Sequence, residues 1–115
     1  VEKIVIAHPE YWIVSLTLEQ QEELIRGYGA ILERCYRQPL QDGRWVSNAA
    51  RNPEAMRALG FENTILSTDC GNPANPPWEQ AMGEYLQFMI DHGVPGQAFR
   101  EMTQTLPARL LDLQI

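Results

Sequence analysis

Basic residues are scarce in this chain and never run together. Nine Lys and Arg stand against fifteen Asp and Glu, a net charge of -6 with a pI near 4.8. A surface of that sign repels a phosphate backbone and an anionic bilayer, so no nucleic-acid and no membrane partner is expected. Long apolar runs are missing as well. None approaches the roughly 18 residues of a membrane span, and the N-terminus lacks the basic and apolar regions of a signal peptide. The expected location is the cytoplasm. Cysteine is rare: Cys35 and Cys70 make neither a disulfide framework nor a zinc ribbon, which suits a reducing compartment. Internal repeats and low-complexity segments are absent too.

What is present is enough for one domain, residues 1–115, with 44% hydrophobic residues to build its core. The chain begins at Val1 and reads as a β-strand within a few residues, the pattern expected of a piece of something longer. That first strand, about six residues, should end at His8, just before Pro9, which cannot donate to a ladder. Thr17 with Gln20 three positions on forms a capping box for a helix that should close near Gly27 or Gly29. The segment GAILERCY, residues 29–36, fits either an extension of that helix or a second strand. Gln38 to Ala50 has no period and reads as a loop with room for a helical turn.

Further on, Asn52 as cap, Pro53 as first helical residue and Gly60 past the end bracket a short helix. Asn63 to Asp69 is an apolar strand that breaks into a stiff loop with three prolines, Pro73, Pro76 and Pro77. Trp78 to His92 is the clearest helix, with Met82, Tyr85, Leu86, Met89 and Ile90 on one stripe and Gly93 as its stop. Pro95–Thr103 and Pro107–Leu113 read as two more helices, the second capped by Thr105. Strands alternating with helices imply an α/β fold: three parallel strands joined by crossovers and covered by helices.

Side chains of a strand alternate between faces, so each strand offers one set: Ile4, Ile6, His8; Ile31, Glu33, Cys35; Ile65, Ser67, Asp69. In parallel strands these sets bring His8, Glu33 or Cys35, and Asp69 to one edge, where open α/β sheets and barrels collect their chemistry. An imidazole beside a carboxylate can bind a divalent ion, and the carboxylate can also take a proton from water that the ion acidifies. Each residue has a plainer reading beside this one. His8 can be a structural hydrogen-bonding residue, Asp69 a turn residue, Glu33 a solvated charge and Cys35 a core thiol.

The segments IVIAHPE, AILERCY, ILSTDCGNP and TLPARLLDL, in that order, resemble the C-terminal part of the amidohydrolase superfamily. These are metal-dependent hydrolases on a (β/α)8 barrel, and the likeness is strongest to an uncharacterised amidohydrolase-like branch. It covers essentially the whole chain. The resemblance implies a partial barrel whose three parallel strands are the last three of eight. It implies Asp69 as metal ligand and general base, His8 as a metal-binding or substrate-facing histidine, and Glu33 and Cys35 as residues lining the substrate site. It also implies a divalent cofactor, zinc first among the candidates, that activates water to attack a small amide, cyclic amide or ester. In the tail, Leu106 stands where the family's closing signature has Asn and Asp112 where it has Gly. Both sit at a helix boundary and should change capping more than chemistry. Arg109 is expected to anchor the last helix.

The family's other metal ligands belong to strands this chain does not contain, and its second histidine, His92, sits at a helix end before Gly93. A catalytic zinc normally takes three protein ligands, so this chain alone should be inactive. Three readings follow: a fragment of a metal-dependent hydrolase acting on a small molecule, a non-catalytic three-stranded interaction module, and a ligand-binding barrel that has lost catalysis. A cut barrel also exposes strand edges through which copies of the chain would form a homo-oligomer.

Overall fold

The computed structural model describes residues 2–36, 40–41, 44–45 and 49–114, the two short internal pairs by backbone only. Three parallel strands, β1 (Val5–Ala7), β2 (Ile31–Cys35) and β5 (Thr64–Ser67), form a sheet in the order β1-β2-β5. Between them run α1 (Leu18–Tyr28) and α2 (Arg51–Leu59); α3 (Trp78–Asp91) and α4 (Leu106–Leu110) follow. The protein is therefore α/β, with an open parallel sheet and helices.

The start of α1 follows from its cap. Thr17 Oγ1 accepts from Gln20 N at 3.2 Å and Gln20 Oε1 from Thr17 N at 2.9 Å, so two backbone donors with no helical partner are satisfied. The helix stops at Gly29, whose φ of 64° is open to a residue without Cβ and lets its N–H reach back to Ile25 O at 3.0 Å. That turn ends the helix before GAILERCY can extend it, and the segment becomes β2.

Register fixes which side chains share a face. Ile6 lies opposite Leu32, and Leu32 opposite Thr64; Ala7 lies opposite Glu33, and Glu33 opposite Ile65. Leu32, Arg34, Thr64 and Leu66 are buried under the helices, and Leu66 packs into a core with Met56, Tyr85, Met89, Val94 and Met102. The other face carries Val5, Ala7, Ile31 and Ile65 half-buried or exposed. This corrects one expectation. Ile4 and Ile6 share the helix-covered face, not the face of Glu33 and Asp69, because β1 enters the sheet one residue out of the expected phase.

Other boundaries moved for physical reasons. Between β2 and α2, Leu40–Gln41 (β3) and Arg44–Trp45 (β4) pair as a short antiparallel ladder in the segment read as a loop. The rest of that segment up to residue 48 lies outside the described residues. Asn52 is no cap: α2 begins at Arg51, and the buried Asn52 amide instead donates to Cys35 O at 3.0 Å and Tyr85 Oη at 2.6 Å. In α3 the buried stripe is Ala81, Tyr85 and Met89, while Ile90 is exposed.

The two terminal helices are one run. A 3₁₀ turn (Gly96–Ala98) leads into a π-helical stretch (Glu101–Thr105) and then α4, and Thr105 makes no side-chain cap. Pro107 explains the wide turn. It has no N–H for the Thr103 carbonyl and its ring would crowd that oxygen, so the helix widens just before it and Leu106 N–H bonds Glu101 O. Lys3 holds this end to the sheet, donating to Leu110 O at 2.9 Å and pairing with Asp112 at 2.6 Å. Arg109 pairs with Glu101 at 3.3 Å, within its own helical run. Among the described residues no helix is long and apolar enough to cross a membrane.

Candidate functional site

Parallel pairing puts the C-terminal ends of all three strands at one edge, and the loops leaving them converge there. Two of these exits are conformationally unusual. His8 directly follows β1 with φ of 35°, and Asp69 follows β5 by two residues with φ of 52°. A non-glycine residue in the left-handed region is uncommon, although Asp and His are among those that tolerate it best. His8 N still donates to Glu33 O at 2.8 Å, so the ladder continues to the residue where the chain turns. His8 thus reaches the edge through a backbone reversal past the end of the strand, not through the strand's alternation.

Two of the residues named from the sequence, Glu33 and Cys35, lie on one face of the middle strand. Glu33, Cys35 and Ser67 share the open face of the sheet, with Cys35 directly opposite Ser67. Their side chains meet: Cys35 Sγ lies 3.2 Å from Ser67 Oγ. Burial pushes the Cys35 thiol up to about 12, against the pull of the Ser67 hydroxyl and the His8 N–H and with a further push from the Glu33 and Asp69 charges. A thiol held that high stays protonated near neutral pH and is a poor nucleophile. Asp69 is exposed. Partial burial raises its carboxyl, His8 draws it down and Glu33 pushes it up, with a net rise. His8 and Glu33 therefore both act electrostatically on Asp69.

His8 has one more property. Its Nδ1 is buried and has no hydrogen-bond partner, while its ring stands edge-on to buried Tyr11 at 5.4 Å. A buried polar atom without a partner is costly and is rare unless something else satisfies it. An imidazole nitrogen and a carboxylate are donors that suit zinc and related divalent ions. Two such donors do not complete a metal site, and among the described residues no group of three or more His, Cys, Asp and Glu side chains could hold a metal ion.

The loop that carries His8 is fixed from behind. Glu10 and Arg34 form an ion pair inside the protein, with Arg34 also donating to Gln21 Oε1 at 2.9 Å and Thr64 Oγ1 at 3.2 Å. Arg51 donates to Glu10 O at 3.1 Å. Burial raises the Glu10 carboxyl even against the attraction of Arg34. Sequence reading missed this pair and the role of Ser67. The available signals were a charged residue at the core-facing phase of an apolar strand, Arg34, and a hydroxyl in the same phase as Asp69, Ser67.

Comparison of the chain with protein-family models, curated proteins and solved structures gives no match. The site must be read from its own chemistry.

Proposed function

We propose that this chain is the closing part of a metal-dependent hydrolase, a (β/α)8 barrel of the amidohydrolase kind acting on a small amide, cyclic amide or ester. One observation carries the reading: His8 and Asp69 each leave a parallel strand in the left-handed region at the same sheet edge, with the strand that carries Glu33 between them. A backbone reversal at a strand exit aims the side chain that follows, and His and Asp are among the residues that adopt it most readily. His8 and Asp69 would hold a divalent ion, zinc first, together with ligands from outside this chain. When bound, such an ion lowers the pKa of water toward neutrality and polarises a carbonyl.

The remaining roles belong to side chains present here. Asp69 takes the proton from the attacking water. Glu33 lines the floor and adds to the rise that burial gives the Asp69 carboxyl. Cys35 and Ser67 pack the floor beneath without acting as nucleophiles. Two variants test the assignment, H8N and D69N, by zinc competition against a chromophoric chelator and by turnover in the complete protein. Loss of zinc affinity in both and of turnover in D69N is expected. Metal content and turnover that survive D69N would remove Asp69 from the mechanism.

A second reading, the non-catalytic interaction module, is favoured by the partly exposed sheet face, where Val5 is 45% exposed. Parallel sheets are normally covered on both faces. On that reading the chain forms a stable dimer in solution, and sedimentation at micromolar concentration as a folded monomer speaks against it.

A further inference from the structure

The sequence has three tryptophans, and each belongs to a different one of the three loops that leave the parallel sheet at the candidate site. Trp12 lies between β1 and α1, Trp45 in the β4 ladder between β2 and α2, and Trp78 at the first residue of α3, after the loop from β5. The core is filled by other residues, Met56, Leu66, Tyr85, Met89, Val94 and Met102. Trp12 is 41% and Trp78 69% exposed. A tryptophan left in water forgoes the largest burial gain of any side chain, which makes exposure at a site informative where scattered exposure is not.

Trp12 is also held in place. Tyr11, buried, bridges it to the site: its ring is edge-on to His8 at 5.4 Å and edge-on to Trp12 at 5.7 Å. The loop closes on itself through Tyr11 N to His8 O at 2.9 Å and Leu16 N to Pro9 O at 2.9 Å. The buried Glu10–Arg34 pair fixes its base. Ile13 and Val14 extend the apolar surface beside Trp12, at 65% and 39% exposure. A pinned loop that presents an aromatic face spends little entropy when a flat group stacks on it.

We propose that the compound bound at this edge carries a flat aromatic ring that stacks on Trp12, with its hydrolysable carbonyl directed toward His8 and Asp69. This rests on the hydrolase reading for the fate of the carbonyl, but the ring contact stands on the placement of the tryptophans. The substrate class is therefore an aryl amide or aryl ester and not an aliphatic one.

Benzamide and acetamide serve as probes, titrated against this chain by ligand-observed NMR, with circular dichroism as the check of folding. Benzamide is expected to bind measurably more tightly than acetamide, to weaken about tenfold in W12A, a loss of some 1.4 kcal/mol, and to be retained in W12F. If W12A does not fold, W12L supplies the same comparison, a side chain of similar bulk without the ring. Equal affinity for the two amides, or benzamide binding indifferent to loss of the ring at position 12, overturns the proposal. Zinc titration of the complete protein, wild type and D69N, separates the two readings. Ring-dependent benzamide binding without zinc uptake by the complete wild-type protein supports the aromatic wall and counts against the metal site, whereas zinc uptake lost in D69N with ring-independent benzamide binding does the reverse.

Discussion

Arg34 and Glu10 pair with almost no exposure, 0% and 1%, on the face of the sheet turned away from the candidate site. Glu10 sits two residues after His8, so the pair joins the site loop to the middle strand, and Gln21 and Thr64 extend the join to α1 and β5. Removing one member leaves the other charge buried without its counter-ion, which typically costs about 3–5 kcal/mol. E10A and R34A are each expected to lose that much in urea denaturation. The paired change E10L/R34M should recover most of it, because it removes both charges and refills the space. A loss below about 1 kcal/mol in either single variant would mean that water reaches the pair.

The capping box of α1 gives a smaller and local effect. Thr17→Ala removes the acceptor for Gln20 N and frees the reciprocal arm, a change worth about 1 kcal/mol at an exposed helix start. Thr17→Ser should restore most of it, since the hydroxyl is the active part. The readout is the thermal midpoint together with hydrogen exchange of the first turn of α1, and unchanged exchange there would contradict the assignment.

What could be read in the sequence follows the same division between local and distant causes. The capping box, the Gly29 stop, the α3 span and the strand that leads to Asp69 are set by neighbouring residues, and all appear where their local chemistry puts them. The phase of β1 is different: three residues of strand contain too little alternation to say which face is covered, and the pairing of Ala7 with Glu33 settles it. Asn52 looked like a cap because its local signal is that of one, but Cys35 and Tyr85, distant in sequence, claim its amide. The Pro107 effect was local, yet it produced a widened turn where a break between two helices seemed the simpler outcome. At the site, residue types and strand ends were legible. The reversal of backbone at His8 and the buried network behind it were not, since both depend on contacts from three separate segments.

Cys35 offers a test that reads burial and charge at once. Its thiol is pushed from 9.0 to about 12 by burial, and Cys70 is partly exposed. Labelling with a thiol reagent at pH 8 should modify Cys70 first, with Cys35 reacting only as the protein unfolds. The pH dependence follows from the sign of the shift. Between pH 9 and 12 the folded state holds the proton that the unfolded state releases, so the stability from the protonated thiol is complete below pH 9 and falls as pH rises, by about 1.4 kcal/mol per unit. C35A should flatten that slope between pH 9 and 11 in urea titrations. An unaltered slope would place the loss of stability elsewhere.

Asp69 can be separated into its backbone and its charge. Its φ of 52° is tolerated by Asp, Asn and Gly and resisted by other residues, for which the left-handed region costs roughly 1–2 kcal/mol. Its carboxylate gains little from the fold, because burial and the Glu33 charge oppose it and only His8 favours it. D69N keeps the conformational tolerance and removes the opposed charge, so its thermal midpoint should equal or exceed that of the wild type. D69A should be less stable than D69N by about 1 kcal/mol, and D69G should recover part of the difference through the freedom of glycine. A destabilised D69N would show that the carboxylate holds the loop together, which would argue for a structural Asp69 over a functional one. A stable D69N that has lost zinc affinity is the outcome expected of a residue placed at the strand exit for its chemistry.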